Sequence, residues 1–261
     1  MRLFPLRSLP DVRHERNRME RFDKLKGVFK RRENKEDAPA VSPAVIRRLP
    51  RYHRYLLELS RQGKMRVSSQ ELAALMEVTA SQIRQDLNCF GGFGQQGYGY
   101  NVRYLTEKID ELLGVTEGYR AVVVGAGNLG RALVSSHMFE RRGVKRLALF
   151  DVNPALIGTT VSGLPILSYE DMEDYCRENH VEIAVLTTPK EAAGEVLMRL
   201  ARAGVRGIWN FSNTELHAPN DDMTVQDMHI GDSLMTLCYQ IKKKAEENGK
   251  APRKESGDDH E

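Results

Sequence analysis

The sequence predicts an α/β protein: a small helical N-terminal unit followed by a doubly wound parallel sheet. Three observations predict it. Between residues 68 and 90 two capped helical stretches are separated only by Glu77-Val78, the spacing of a helix-turn-helix. Directly after them, from Gly91 to Val102, glycines alternate with aromatics as in a tight β-hairpin, which makes the unit a winged one. Further on, the β-branched run Val122-Val123-Val124 feeds into Gly125-Ala126-Gly127-Asn128-Leu129-Gly130, and helix-forming Arg131-Ala132-Leu133-Val134 follows. A strand, Gly-x-Gly-x-x-Gly and a helix in that order are the fingerprint of a Rossmann-like dinucleotide site.

The 261 residues suffice for two domains, and 41% apolar with 29% charged residues is the composition of a soluble globular chain. No apolar run approaches the ~20 residues a membrane helix needs. Met1 to Arg7 is not followed by a continuous apolar segment or a small-residue cleavage site, so a secretory signal is rejected. Cys89, Cys176 and Cys238 are odd in number and far apart, which fits a reducing cytosol and neither a disulfide framework nor a zinc site. The net charge of +3 hides an asymmetry: residues 1–100 carry 20 Lys and Arg against 11 Asp and Glu, whereas residues 101–261 carry 19 against 25. Only the first half is therefore suited to a polyanion.

In chain order, residues 1–41 read as a disordered basic extension without apolar periodicity. Ser42-Pro43 is a helix start, with serine at the N-cap and proline at the first position. Ile46, Leu49, Tyr52, Leu56 and Leu59 recur at helical spacing up to Gly63, and Pro50 is expected to disturb the helix or to move its start downstream. Ser68-Ser69-Gln70-Glu71 and Thr79-Ala80-Ser81-Gln82 are two capping boxes. Leu72, Ala73, Leu75, Ile83 and Leu87 are the candidate core of this unit, and Cys89 is expected to be buried packing. Ser81, Gln82, Arg84 and Gln85 are left on the outer face of the second helix, with Thr79 at its cap. Arg pairs bidentately with guanine and Gln with adenine, so these side chains are candidate readers of base edges. Asp86 is the exception, a residue expected to support a neighbour or the fold. The hairpin tip, with Gln95, Gln96 and Tyr98, is the candidate contact to a phosphate backbone or minor groove. The plainer reading of the whole unit is a helical protein-interaction domain. A bridging helix from Arg103 to Leu113 ends at Gly114.

In the second half, Gly125 permits the tight turn, Gly127 lets the backbone approach a pyrophosphate, and Gly130 lets the helix pack on the strand. With Ala126, Asn128 and Leu129 they form the candidate phosphate cradle, where the helix N-terminus offers free N–H groups. The next strand, Arg146 to Phe150, ends in Asp151, about 20 residues beyond Gly130, where a carboxylate accepts hydrogen bonds from an adenosine ribose. A carboxylate there would repel a 2′-phosphate and so favours NAD over NADP. Val181 to Leu186 is a buried strand whose carboxyl end carries Thr187, Thr188 and Pro189, and Gly207 to Ser212 is another that ends in polar groups, with Asn210 near its end. Ligands of doubly wound sheets bind at those ends, so Thr187, Thr188, Pro189 and Asn210 are candidate cofactor contacts; ordinary strand-end turn chemistry is the alternative. Ile230, Leu234, Leu237, Cys238 and Ile241 make one apolar stripe on a last helix, for which packing on its own domain and docking on a second subunit both stay open.

This order of parts resembles the Rex family of redox-sensing transcriptional repressors over about residues 43–245. The resemblance rests on Ser81-Gln82-Ile83-Arg84-Gln85-Asp86-Leu87, Phe90-Gly91-Gly92-Phe93-Gly94 and Gly97-Tyr98-Gly99-Tyr100, on Gly-Ala-Gly-Asn-Leu-Gly at 125–130, and on Phe150-Asp151, Leu186-Thr187-Thr188-Pro189 and Asn210-Phe211-Ser212. Many members carry a basic residue where Gln85 stands and another in the wing near Gln95-Gln96. The resemblance implies a homodimer with a C-terminal helix swapped between subunits, NADH or NAD+ as allosteric ligand, and operator DNA as partner, released on NADH binding. The expected organisation is then a basic extension (1–41), a winged helix-turn-helix (42–115), an NAD(H)-binding domain (116–228), a dimerisation helix (229–247) and a disordered tail (248–261). An NAD-dependent oxidoreductase is the rival. It would need an acid or base beside the nicotinamide, yet His137, His180, His217 and His229 are isolated and no substrate domain is left in the chain. A CoA-binding module on the same fold is a second rival. No catalytic or metal-ligating residues are expected.

Overall fold

The computed structural model describes residues 41–89, 94–95 and 99–248. The expected basic extension up to residue 40, the wing tip at Gln96 and Tyr98, and the tail beyond Asn248 lie outside the described residues. The chain divides into two compact units, one ending at Leu105 and the other beginning at Thr106.

The first unit opens with helix α1 (Pro43–Arg61), where Ser42 Oγ accepts from the Val45 N–H and Pro43 takes the first turn. Val45, Leu49, Tyr52, Leu56 and Leu59 are its buried face; Val45, not the expected Ile46, completes the stripe, and Ile46 is 41% exposed. Pro50 does not break this helix, contrary to expectation. Pro50 and Ile46, whose carbonyl loses its partner, both belong to the exposed side, where water replaces the missing bond. Helix α2 (Ser69–Met76) carries a complete capping box between Ser68 and Glu71. Glu77, in the left-handed region at φ 53°, turns the chain into helix α3 (Ala80–Asn88). Leu72, Ala73, Ile83 and Leu87 are buried as expected, but Leu75 is 40% exposed and Met76 takes its place one helical step on. The wing is a three-stranded antiparallel sheet of β1 (Arg66–Val67), β3 (Gly99–Asn101) and β2 (Gly94–Gln95), in that order. Gly99 is required there: its φ is +69°, and a Cβ would lie 2.7 Å from the Val67 carbonyl oxygen. Helix α4 (Val102–Leu113) crosses from one unit into the other.

The second unit is a seven-stranded sheet of β4 (Arg120–Val124), β5 (Lys145–Asp151), β6 (Thr160–Val161), β7 (Leu164–Ser168), β8 (Ile183–Leu186), β9 (Gly207–Asn210) and β10 (Thr224–Asp227). Their order is β10-β9-β8-β4-β5-β7-β6, every pairing parallel except that of β6 with β7. The six parallel strands thus follow the doubly wound order, with the reversal between β4 and β8. β10 is not predicted from the sequence, because Thr224-Val225-Gln226-Asp227 is a half-exposed edge strand without an apolar run. The strand period of two splits the core between the two faces. Val122, Val124, Ala148, Phe150, Ala184 and Leu186 join Met172 and Cys176 of helix α6 (Met172–Glu178) and Val196, Leu197 and Leu200 of helix α7 (Lys190–Arg202). Val123, Leu149 and Val185 join Val134 of helix α5 (Asn128–Ser135) and Phe139. The last helix, α8 (Ile230–Glu247), buries no residue.

Phe150 is fully buried and meets the Tyr175 ring edge-on at 5.4 Å. Replacing it with alanine should cost the second unit about 3–5 kcal/mol. Urea unfolding followed by the fluorescence of Trp209, the single tryptophan, checks this; a loss under 1 kcal/mol would contradict the packing.

Candidate functional site

Two groups of residues are assembled for recognition, one in each unit. In the second unit the carboxyl ends of β4 and β8 meet where the strand order reverses. Gly125 turns the chain at φ +102° and donates its N–H to the Phe150 carbonyl at 2.8 Å. Thr187 closes the other side: its N–H reaches the Val124 carbonyl at 2.9 Å and its hydroxyl donates to the Gly125 carbonyl at 2.8 Å. A Cβ on Gly125 would lie 2.8 Å from the Thr187 carbonyl oxygen, and one on Gly130 would strike the Gly125 carbonyl oxygen and lie 2.8 Å from Thr187 Oγ1. Two glycines are therefore demanded by contact within the protein itself. Gly127 is different. It is the N-cap of α5 with extended backbone, and a Cβ there would meet nothing within 4 Å. The open space lies at the helix N-terminus, where unpaired N–H groups and the dipole favour an anion. Asn128 is exposed beside it, Leu129 half-buried and Ala126 buried.

Asp151 binds this turn directly: Oδ2 accepts the Ala126 N–H at 2.6 Å and Oδ1 the Asn153 N–H at 2.8 Å. Each oxygen keeps capacity for a further donor such as a ribose hydroxyl. Thr188 carries a buried hydroxyl oxygen with no hydrogen-bond partner among the described residues, next to Pro189, the exposed N-cap of α7. A buried polar atom left unpaired costs about 1–3 kcal/mol, so a ligand group that reaches Thr188 Oγ1 recovers that cost. The open cap at Gly127, the close packing at Gly130 and this hydroxyl together fit the pyrophosphate and ribose of a dinucleotide. Asn210 is a correction. Its amide nitrogen donates to the Thr214 carbonyl and to Asp227 Oδ1, both at 2.7 Å, and its Oδ1 accepts from the Ser212 N–H and hydroxyl. No donor or acceptor remains for a cofactor; Asn210 is strand-end turn chemistry. Among the described residues no three His, Cys, Asp or Glu side chains gather as a metal would need.

In the first unit α3 presents Ser81, Arg84 and Gln85 as exposed side chains, with Arg84 Nη1 donating to Ser69 Oγ at 3.2 Å. Thr79 caps the helix by accepting the Gln82 N–H at 3.1 Å. The reciprocal half of the capping box is missing, because the Gln82 amide turns instead to Asp86 Oδ1 at 2.7 Å. Gln95 pairs with Gly99 in the wing. Asp86 is completely buried, and it also accepts two hydrogen bonds from Arg48 at 2.7 Å and one from the Tyr52 hydroxyl at 2.9 Å. Burial alone would raise its pKa, but the bonds from Arg48, Gln82 and Tyr52 outweigh that and hold the carboxyl below its usual range. Burial and the same carboxylate push the Tyr52 phenol well above its ordinary value. Sequence reading found Asp86 as the odd residue of the outer face but missed Arg48, whose spacing of four from Tyr52 puts both on one side of α1. Cys89 is a second correction: it is exposed, with its thiol donating to the Gln85 carbonyl at 3.3 Å. Cys176 is the buried thiol, pushed up to about 12 by burial.

Helix α8 exposes Ile230, Leu234, Leu237, Cys238 and Ile241 together with Met235 and Tyr239, and Leu234 alone is 61% exposed. Packing on its own described domain is thereby ruled out for this stripe. No helix among the described residues is long and apolar enough to cross a membrane.

Acid should reveal the Asp86 cluster. A carboxyl depressed in the folded state stabilises it above the unfolded pKa of about 4 and loses that contribution as pH falls through the folded value. Glu71, held down at about 2 chiefly by Lys64 and then by the Ser68 N–H, titrates in the same direction. Melting temperatures of the first unit should therefore stay level from neutral pH to about 5 and fall below about 4; a fall already complete by pH 5 would contradict this.

Comparison with known proteins places both groups in one context. A family described as "CoA binding domain" matches residues 116–214, and one described as "Putative DNA-binding protein N-terminus" matches residues 40–88. The redox-sensing transcriptional repressor Rex of Thermoanaerobacter sp. (strain X514) is 48% identical over 201 residues, 77% of this chain and 89% of that protein. The crystal structure of RSP in complex with β-NAD+ and operator DNA aligns with a TM-score of 0.74 at 45% identity, over 80% of this chain and 96% of that one. RSP in complex with β-NADH aligns with the same score at 42% identity, over 80% and 98%.

Proposed function

The chain belongs to the Rex family of redox-sensing transcriptional repressors, and from that membership we propose how its two groups of residues act together. It is a DNA-binding repressor that senses the NADH/NAD+ state, and NADH binding releases it from operator DNA. The observation that carries this is the turn at residues 125–130 with the unpaired Thr188 hydroxyl beside it, on the same chain as an α3 whose outer face is polar and exposed. RSP, similar to this chain along most of its length, is solved both with β-NAD+ and operator DNA and with β-NADH. The relatives are named as repressors, and the chain is a regulator rather than an enzyme.

In this reading Gly125, Ala126, Gly127, Asn128, Leu129 and Gly130 hold the pyrophosphate, Asp151 the adenosine ribose, and Thr187, Thr188 and Pro189 line the approach to the nicotinamide. The oxidised and reduced nucleotides share the adenosine and pyrophosphate and differ in the charge and shape of the nicotinamide ring. A ligand shifts a conformational equilibrium only by its differential affinity for the two states. The contacts at 125–130 and Asp151 therefore anchor either nucleotide, and discrimination arises at the carboxyl end of β8 and beyond. Thr79, Ser81, Gln82, Arg84 and Gln85 of the recognition helix, with Gln95, Gln96 and Tyr98 of the wing, contact DNA. The exposed stripe of α8 is covered by a second copy of the chain, which makes the protein a homodimer with two recognition helices. NADH favours a dimer in which those helices no longer match half-sites one helical turn apart. Residues 42–115 are the DNA-binding part, 116–228 the nucleotide-binding part and 229–247 the dimerisation helix, in a protein of the cytoplasm.

Operator affinity titrated with NADH, NAD+ and CoA at fixed salt is the direct test, since salt alone shifts DNA affinity by orders of magnitude. NADH should weaken binding at least tenfold relative to NAD+, and CoA should leave it unchanged. Equal affinity with both nicotinamide nucleotides would end the sensor reading, and an effect of CoA alone would favour the second rival.

Gly127→Ala separates a ligand contact from a packing contact. The added methyl enters open space at an ordinary φ of −69°, so the melting temperature should not move. NADH affinity, measured by calorimetry, should fall about tenfold or more, since a backbone approach of that kind tolerates no side chain.

A further inference from the structure

Asp86 does more than join α1 to α3. Its two oxygens accept four hydrogen bonds: Arg48 Nη2 and Gln82 Nε2 on Oδ1, Arg48 Nε and the Tyr52 hydroxyl on Oδ2. An ionised carboxylate has about four acceptor positions and no donor, so this one is filled. The Gln82 atom that faces it must then be the amide nitrogen, and Oε1 is turned away from Asp86. Half a turn of the amide would set Oε1 against Oδ1, two acceptors with no proton between them, at a fully buried charge. A glutamine on a recognition helix ordinarily turns its amide to suit whichever base edge it meets. Gln82, half-buried and tethered, does not have that freedom.

We propose that Gln82 reads DNA from one side only: held by Asp86, it offers the carbonyl Oε1 to the major groove. Oε1 thereby selects a base with an exocyclic amine, adenine N6 or cytosine N4, over one that presents guanine O6 or thymine O4, and the one amide hydrogen that Asp86 leaves free is available to a neighbouring acceptor such as adenine N7. Asp86 is the positioning residue that sets this preference without touching DNA. The inference rests on the DNA-binding reading of α3 and adds to it a base class at one step of each half-site.

The full-length protein with NAD+ is offered a randomised DNA duplex library, and the selected sequences are compared for the wild type, Gln82→Met and Asp86→Asn. Melting temperature and NADH binding serve as folding checks. One step of the wild-type half-site should favour adenine or cytosine about fivefold or more, the worth of one hydrogen bond of about 1 kcal/mol. Gln82→Met keeps the length of the side chain and removes the acceptor; that step should flatten to within twofold while the others hold. In Asp86→Asn the new amide can donate to Oε1 and free the Gln82 nitrogen, which moves the preference toward guanine or thymine at the same step. A uniform loss across all sequences in Gln82→Met would assign Gln82 a structural role and overturn the proposal, as would an unchanged preference there or in folded Asp86→Asn. If Asp86→Asn does not fold, Gln82→Met decides alone. A wild type that selects no sequence at all would overturn the DNA-binding reading, and this inference with it.

Discussion

The close approach of Gly130 to the Gly125 carbonyl and the Thr187 hydroxyl is the constraint on which the second unit depends. It brings the N-terminus of α5 down onto the ends of β4 and β8, and it leaves no room for any side chain at the contact. That contact converts a reversal of strand order into a recess. The chain leaves the paired strands β4 and β8 toward opposite faces of the sheet, into α5 on one and α7 on the other, and the first N–H groups of α5 face open space at Gly127. Asp151 fixes the floor of the recess by accepting the Ala126 N–H, and in the proposed reading the same carboxylate that shapes the turn also holds the ribose. Thr187 and Thr188 divide the work in a similar way. One hydroxyl is spent on the Gly125 carbonyl, and its neighbour is left unpaired.

The first unit solves a comparable problem with charge. A completely buried carboxylate is costly unless every acceptor position is filled, and removal of one partner from such a cluster typically costs 3–5 kcal/mol. Asp86 is filled by Arg48, Tyr52 and Gln82; the three bonds from Arg48 and Tyr52 tie the recognition helix to α1 directionally rather than by apolar contact alone. Directional bonds fix rotation about a helix axis, and rotation decides which side chains reach a groove. The exposed trio Ser81, Arg84 and Gln85 therefore owes its orientation to a residue on the opposite face of α3.

Helix α8 carries an apolar face that the described chain leaves open. Its apolar side chains recur at 230, 234, 237, 238 and 241, and all of them are exposed. An apolar face of that size on a folded chain marks an interface. In the proposed reading a second copy of the chain covers it and brings two recognition helices together, so nucleotide state and DNA spacing become properties of one assembly.

Much of this was legible in the amino-acid order. Val122 to Gly130 specified a strand, a turn and a helix because β-branching, glycine and N-cap chemistry act within a few residues. Ser42-Pro43, Ser68 to Glu71 and Thr79 marked three helix starts for the same local reason. Gly99 and the wing hairpin followed from alternation of glycine and aromatic residues. What sequence did not determine was settled by groups far apart in the chain. Pro50 stayed inside α1 because its side of the helix meets water. Asn210 left the candidate cofactor set because Ser212, Thr214 and Asp227 consume its amide. Cys89 proved exposed and Met76 replaced Leu75, since one step around a helix separates core from solvent. β10 has no apolar run of its own and exists only by pairing with β9. The Arg48–Asp86–Gln82 cluster spans 38 residues of sequence, and only the tertiary structure could bring together three polar side chains whose merit is that they satisfy one another.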